Sequence, residues 1–192
     1  MSDQPAAAEV LLFWFGPPGE RGKRQERWFV KSDAFDREIR ERFLPLHEAA
    51  AAGKLARLKE TAADCLALIV LLDQFPRNMF RGTPRAFATD ALALDAARHA
   101  VRAGFDRNML AVERMFTYLP FEHSEVLADQ ELACELTRPL DVIEPGLDAH
   151  RYAVAHRDII QRFGRFPHRN AILGRASTPE EIEFLKGPGS SF

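Results

Sequence analysis

Residues 61–74 read TAADCLALIVLLDQ and contain the most continuous apolar run of the chain, from Cys65 to Leu72. A run of this length is typical of either a buried strand or a helix that is buried on every side. Its leucine and alanine content favours the helix, and no other segment reads as a partner strand. The run therefore predicts the most buried helix of the fold, and we expect Pro76 to end it.

The rest of the chain also has helical periodicity. Phe35, Ile39 and Phe43 recur every four residues after a predicted cap at Ser32 or Asp33. Residues 178–181, reading TPEE, form a capping box with proline at the first helical position, and Gly187 is expected to end that last helix. Further helices are predicted over residues 6–15, 46–52, 90–103, 109–118, 124–138 and 147–163, and Pro45 is expected to kink or end the helix before it.

The connections between these segments are mostly short, so neighbouring helices are expected to pack as antiparallel hairpins. No repeat of fixed period and no linker divides the sequence. The pattern predicts a single all-α domain over residues 1–192.

Composition excludes several classes of protein. The net charge of −2 argues against a general nucleic-acid binder, which has a basic excess. No apolar run reaches the roughly 20 residues that span a bilayer, and Asp3 and Glu9 stand where a signal peptide would be basic. Cys65 and Cys134 lie among aliphatic residues and are predicted to be reduced core thiols. We expect a cytoplasmic protein that binds neither nucleic acid nor membranes, while its oligomeric state stays open.

Three segments are richer in polar residues than a structural helix bundle requires. The first, residues 71–90, reads LLDQFPRNMFRGTPRAFATD and places Asp73 at the end of the most buried helix. An unpaired buried carboxylate is costly, so Asp73 is expected to have a partner, and Arg77, Arg81 and Arg85 are the closest candidates in the sequence. An ion-paired turn between two helices and the wall of a ligand site are both compatible with this segment.

The second segment, residues 118–131, reads YLPFEHSEVLADQE. At 100° per residue, Asp129 falls on an apolar helix face, so Glu125 and Asp129 both enter the interior if that face is inward. Glu122 and His123 lie immediately before this helix. The alternative is that Glu125 and Asp129 cap the helix and favour its positive end.

The third segment, residues 151–175, places His156 on the apolar stripe of a helix and continues into the loop FGRFPHRNAILGR. A histidine on such a stripe is more often a hydrogen-bonded core residue than a ligand. The loop contains Arg165, His168, Arg169, Asn170 and Arg175. Arginine forks suit carboxylates or phosphates, either of the protein itself or of a ligand.

The sequence contains none of the common cofactor or nucleophile motifs: GxGxxG, the P-loop, HExxH and GxSxG are all absent. Some candidate residues are of metal-ligand type, but their spacing fits no strong template. These residues are Glu122, His123, Glu125, Asp129 and His156. We therefore predict no cofactor and no metal ion.

Five motifs together resemble a known family. They are FWFG (13–16), LLDQFPRN (71–78), LPFEHSE (119–125), FGRFPHRN (163–170) and STPEEIEFL (177–185). They are similar to the bacterial domain of unknown function 924 family, from about Glu9 to the end of the chain. The family usually has a tryptophan near Leu58, which here is apolar but not aromatic. The resemblance implies an all-helical, tetratricopeptide-like packing of antiparallel helix pairs, and it implies no reaction and no catalytic residues.

The leading functional hypothesis is a site for a small anionic ligand in an all-helical scaffold, with catalysis left open. His156, His123 and Glu125 are the candidate acid–base residues, and Glu125 or Asp129 is expected to orient the histidine. The candidate ligand-binding residues are Asp73, Arg77, Asn78, Glu122, Asp129, Arg165, His168, Arg169 and Asn170. Two alternatives remain. One is a tetratricopeptide-like adaptor that binds a protein or an acidic peptide in an open groove lined by Arg77, Arg81, Arg165 and Arg169, and the other is a purely structural network of ion pairs.

Overall fold

The computed structural model describes residues 3–191, with side chains from Pro5 onward, and every regular element within that range is helical. The all-α fold predicted from the sequence is confirmed. In chain order the helices are α1 (Asp3–Phe15), α2 (Asp33–Ala51), α3 (Ala62–Ile69), α4 (Phe75–Met79), α5 (Asp90–Ala103), α6 (Ala111–Glu122), α7 (Leu127–Thr137), α8 (Leu140–Ile143), α9 (Ala149–Phe163) and α10 (Pro179–Phe184). A π-helical turn, Val70–Gln74, joins α3 to α4.

The apolar run at residues 65–72 lies at the centre of the hydrophobic core. Every residue from Cys65 to Asp73 is buried. Helix α3 packs against α1, α5 and α6, and the π-helical turn packs against α2, α5 and α6. Because neighbours cover this segment on all sides, it needs no polar face, which explains why its sequence is continuously apolar. Cys65 and Cys134 are both free and buried, as predicted.

Aromatic side chains from four helices fill the space around the end of α1. The Trp14 indole is 1% exposed and meets the rings of Phe75 and Phe116 edge-on, with centroids 5.7 and 5.5 Å away. Phe13 packs 5.0 Å from Phe43. Such aromatic contacts add stability beyond the buried area. The FWFG motif therefore contributes to the core.

Of the two effects predicted for Pro45, a kink or the end of the helix, the second is wrong, because α2 continues through this proline to Ala51. The buried residues of α2 continue at helical spacing on both sides of it: Phe35, Ile39, Phe43, His47 and Ala50. A proline inside a helix costs about 3 kcal/mol. Packing of one uninterrupted apolar stripe against the core offsets that cost.

Pro76 was also expected to end its helix, and the structure differs here too. The chain passes through the π-helical turn, where the Phe75 amide donates to the Val70 carbonyl, and continues as α4. Pro76 has no N–H to offer to the carbonyls of the turn before it. Two of those carbonyls accept hydrogen bonds from side chains instead: His47 Nδ1 lies 2.9 Å from the Leu71 oxygen, and Thr89 Oγ1 lies 2.6 Å from the Leu72 oxygen.

The C-terminal part of the chain has a small apolar cluster of its own. Ile159, Ile160 and Phe166 are buried together, with Phe163 and Phe184 packed against them. The predicted capping box begins α10 as expected. Thr178 Oγ1 accepts from the Glu181 amide at 3.2 Å, and the Glu181 carboxylate accepts from the Thr178 amide at 2.7 Å.

Helix α7 packs against both α6 and α9, which brings the second and third polar segments of the sequence together. The tetratricopeptide-like detail of this packing stays a prediction. Among the described residues, no helix combines the length and the apolar character needed to cross a bilayer.

We expect Thr89→Val to lower the free energy of unfolding by about 1–3 kcal/mol, because the buried Leu72 carbonyl loses its donor and water cannot replace it. Urea unfolding followed by circular dichroism measures this change. Thr83→Val is the matched control: Thr83 Oγ1 also donates to a carbonyl, that of Phe80 at 2.8 Å, but at an exposed position. Its cost should stay under about 0.5 kcal/mol, and equal costs for the two variants would contradict the role given to Thr89.

Candidate functional site

A cavity of about 400 Å³ lies where parts of all three polar segments meet. Its walls come from the turn before α5 and the start of α5, from the end of α6 and the residues after it, and from the loop after α9. The lining residues are Pro84, Phe87, Ala88, Asp90, Ala91, Leu94, Pro120, His123, Ser124, Glu125, Arg169 and Leu173. The volume is at the lower end of the range for small-molecule sites. Of the predicted candidates, His123, Glu125 and Arg169 line the cavity directly.

His123 is held by Asp73 at the inner wall. The imidazole Nδ1 lies 2.7 Å from Asp73 Oδ1, and Gln74 Nε2 donates to the other carboxylate oxygen at 2.6 Å. Asp73 has no exposed surface. Burial alone would raise the pKa of this carboxyl, but His123, the nearby Arg77 guanidinium and Gln74 hold it below its ordinary value. An ionised carboxylate only accepts hydrogen bonds, so Nδ1 of His123 carries the proton and Nε2 is left for a ligand.

Glu122 and His156 lie behind His123 and do not line the cavity. Glu122 is 1% exposed, and neither of its oxygens has a hydrogen-bond partner among the described residues. Its Oε2 lies 3.5 Å from His156 Nδ1, an atom that also lies 2.8 Å from the Tyr152 carbonyl. Burial, and secondarily the charge of Asp73, raises the pKa of Glu122 well above its ordinary value. The interior therefore holds one ionised carboxylate beside a neutral carboxyl group.

His156 is neutral at neutral pH. Burial is the main cause that lowers the pKa of His156 to about 3, and the neighbouring His123 adds to it. The two imidazole centroids are 6.1 Å apart. Because a carbonyl oxygen only accepts, the contact with Tyr152 identifies His156 Nδ1 as the protonated nitrogen. His156 thus belongs to the layer behind His123 and does not line the cavity.

Two arginines from distant segments share one carboxylate at the cavity wall. Arg77 Nη2 lies 2.8 Å from Asp90 Oδ1, and Arg169 Nη1 donates to Asp90 Oδ2 at 3.2 Å. Both guanidinium groups also lie 4.8 Å from the centroid of Phe87. Burial, followed by repulsion from Arg77, lowers the pKa of Arg169 to about 10, which leaves it positively charged at neutral pH. Aromatic and carboxylate contacts therefore fix the position of a buried cation.

Glu125 fastens the loop after α9 to the cavity. Arg175 donates to both of its oxygens at 2.7 and 3.0 Å, and the Phe166 amide donates to it at 2.8 Å. Burial alone would raise the pKa of Glu125, but these hydrogen bonds hold it below its ordinary value. The expectation that Glu125 enters the interior from a helix is wrong, because α7 begins only at Leu127. Asp73, rather than Glu125 or Asp129, holds an imidazole.

The other predicted residues lie away from the cavity lining. Asn78 donates to Asp36 at 2.7 Å. Asp129 accepts from Arg98 at 2.6 Å and from Ser124 at 2.7 Å. These contacts join neighbouring elements of the scaffold.

In the C-terminal segment, Arg165 forms a two-pronged pair with Glu181 at 2.6 and 2.7 Å, and Asn170 donates to Ser177 at 3.1 Å. The His168 ring packs 5.6 Å from Phe166, and burial, followed by the charge of Arg169, lowers the pKa of His168 to about 4. These residues shape the loop that carries Arg169.

Sequence reasoning missed Asp90 and Phe87. The sequence pattern marks Asp90 only as the start of a predicted helix, whereas in the structure its carboxylate binds Arg77 and Arg169. The partner Arg169 is 79 residues away along the chain, so no local pattern signals this contact. Within the described part of the chain, no group of three or more His, Cys, Asp or Glu residues is arranged to hold a metal ion.

We expect Glu122→Gln to be more stable than the natural protein at neutral pH, with a difference that shrinks on acidification. The raised pKa means that the folded state keeps a proton that the unfolded chain loses above about pH 4.3. The protonated carboxyl group is therefore tolerated at low pH. As the pH rises toward the folded-state pKa, the free energy of unfolding of the natural protein falls by up to about 1.4 kcal/mol per pH unit. Urea unfolding between pH 4.5 and 8 measures this difference.

Glu135→Gln is the control for that series, because it replaces an exposed glutamate with the same amide. We expect it to change the free energy of unfolding by less than about 0.5 kcal/mol at each pH. A Glu122→Gln difference that is independent of pH would show that this carboxyl ionises in the folded protein as it does in the unfolded chain.

Comparison with known proteins agrees with the resemblance seen in the motifs. A solved structure of a protein of unknown function from Agrobacterium tumefaciens is 44% identical in sequence, with a TM-score of 0.86, and the alignment covers 97% of this chain and 100% of that one. No curated protein matches the chain. The family model for bacterial proteins of unknown function, DUF924, matches residues 10–189. Since that match spans nearly the whole chain, this protein belongs to the DUF924 family.

Proposed function

We propose that the protein is a cytoplasmic enzyme that binds a small anionic substrate in the cavity, and that His123 transfers a proton to or from this substrate. The observation that carries this proposal is the 2.7 Å contact between His123 and the fully buried Asp73 at the cavity wall. Imidazole exchanges protons near neutral pH, and a general acid–base residue contributes about 10²–10⁴ in rate.

The buried carboxylate gives His123 what an acid–base residue requires. Asp73 fixes the tautomer and orientation of the ring, and its negative charge stabilises the imidazolium that forms when Nε2 takes a proton. Gln74 occupies the second oxygen of Asp73, so the carboxylate cannot rotate away without losing that bond. This arrangement presents a single nitrogen to a bound molecule.

Arg169 supports the anionic character of the substrate. It lines the cavity, is 7% exposed, and its Nε has no hydrogen-bond partner among the described residues. The guanidinium lies over Phe166 at 4.5 Å and over Phe87 at 4.8 Å. A cation that is already positioned by its neighbours loses little side-chain entropy when it binds an anion.

The geometry supports this function over a peptide-binding adaptor. Such an adaptor requires several exposed arginine forks that are available to acidic side chains. Arg81 instead donates to both oxygens of Asp36, at 2.8 and 2.9 Å, and Arg165 likewise binds Glu181. Two of the four arginines in that hypothesis are thus already saturated by carboxylates of the same chain.

The first test is a thermal-shift screen with monocarboxylates, dicarboxylates and phosphate esters on the natural protein and on Arg169→Met. A ligand at a hundredfold excess over its Kd adds about 2.7 kcal/mol, which raises the Tm by about 5–10 °C. We expect Arg169→Met to fold but to lose this shift, and Arg169→Lys to keep only part of it, because lysine has no fork. An unchanged shift in Arg169→Met would place ligand binding elsewhere.

The second test separates binding from proton transfer. With a ligand from the screen at saturating concentration, we expect His123→Gln and Asp73→Asn to lose at least about a hundredfold in deuterium incorporation or turnover followed by NMR in D2O, beyond any loss of affinity. His99→Gln is the control: its ring contacts the Lys59 carbonyl at 2.9 Å and does not line the cavity. Equal rates in His123→Gln and the natural protein would refute the role of His123.

A further inference from the structure

We propose that the ligand of this cavity is an amphipathic monoanion, a small molecule with an apolar body and one carboxylate, in preference to a dianion or a phosphate ester. This inference rests on the proposed function, since it names the class of substrate for the same site. It follows from how apolar and charged groups are divided over the cavity wall and from the balance of the buried charges.

The cavity has two chemically distinct walls. One wall is apolar and consists of Pro84, Phe87, Ala88, Ala91, Leu94, Pro120 and Leu173. The other consists of Asp90, His123, Ser124, Glu125 and Arg169. A fully polar molecule would make no apolar contact with the apolar wall. A fully apolar molecule would displace water from the polar wall without replacing the hydrogen bonds that the water makes there. A ligand that satisfies both walls has an apolar body and a polar end.

The charges around the polar end are already balanced. Three guanidinium groups face three carboxylates, namely Arg77, Arg169 and Arg175 against Asp73, Asp90 and Glu125. Behind them, Glu122 adds no charge while it is protonated. The one remaining group at the wall that can gain a positive charge is His123, when Nε2 takes a proton. One negative charge on the ligand can therefore be neutralised.

A second negative charge would meet repulsion. Asp90 and Glu125 both line the cavity, and each is held in place by an arginine of the protein. A dianion would either leave one charge uncompensated in a partly buried site or displace one of these carboxylates from its arginine. Both outcomes are costly at low dielectric. The polar wall therefore accepts a monocarboxylate and disfavours dicarboxylates and phosphate monoesters.

Calorimetry with defined probes tests the ligand class. We expect Kd to fall about fourfold for each methylene from acetate to hexanoate as the apolar wall is covered. Adipate, which has the same length with a second carboxylate, should bind at least about tenfold more weakly than hexanoate, and so should inorganic phosphate. Adipate or phosphate binding as tightly as hexanoate would overturn the proposed class.

Leu173→Ser tests the apolar wall without a change in the buried core, because Leu173 lines the cavity but is 37% exposed. We expect this variant to bind hexanoate about three- to tenfold more weakly and to bind acetate as the natural protein does. Leu92→Ser is the matched control, since Leu92 is 43% exposed and does not line the cavity. An equal effect of the two substitutions on hexanoate would contradict a specific apolar contact.

The same experiments separate this inference from the proposed function. Tight binding of adipate or phosphate that is lost in Arg169→Met would overturn the ligand class and leave the anion site intact. Hexanoate binding that survives in Arg169→Met would overturn the site itself. No binding of any of these probes to the folded natural protein, up to millimolar concentration, would overturn both proposals.

Discussion

The ionised carboxylate of Asp73 is the constraint on which the rest of the site depends. A charge with no exposed surface persists only if partners replace the water that it lost. Here the partners are His123, Gln74 and, at 3.9 Å, Arg77. These contacts join the central helical segment to the end of α6 and to α4. Once the end of α6 is fixed in this way, the His123 ring lies at the cavity wall and its orientation is determined from behind.

The backbone beneath Asp73 is itself unusual, and the cause lies in Pro76. A proline within the most buried helix removes an amide donor where no water can substitute. The chain responds with one π-helical turn, and side chains of α2 and of the residue before α5 bind the carbonyls that are left over. A π-helical turn rotates the residues after it relative to those before it, and such turns are frequent at functional sites. His47 and Thr89 are therefore part of the support for Asp73, although neither lines the cavity.

The fold was predictable from the sequence to a large extent, because apolar periodicity and capping signals are local. The TPEE capping box and the run at residues 65–72 are examples that the structure confirms. Neither proline ends its helix, and the reason is the same: the cost of a proline is local, whereas the packing that offsets it comes from distant residues. For the site, the sequence predicted which three segments converge, but it did not predict which side chains pair with each other. Glu125 was expected to hold an imidazole and instead binds Arg175, fifty residues away.

The charged groups of the three segments divide into two kinds by what they contact. The Arg165–Glu181 and Arg175–Glu125 pairs are each joined by two hydrogen bonds and fasten the C-terminal segment. A structural role therefore accounts for both pairs. Glu122 differs, because a neutral leucine or methionine at that position would avoid a buried polar group with no hydrogen bond. Natural proteins retain such costs mainly at functional sites. A neutral carboxyl group behind Asp73 and His123 adds no charge to this layer, and it therefore leaves the electrostatic balance around His123 undisturbed.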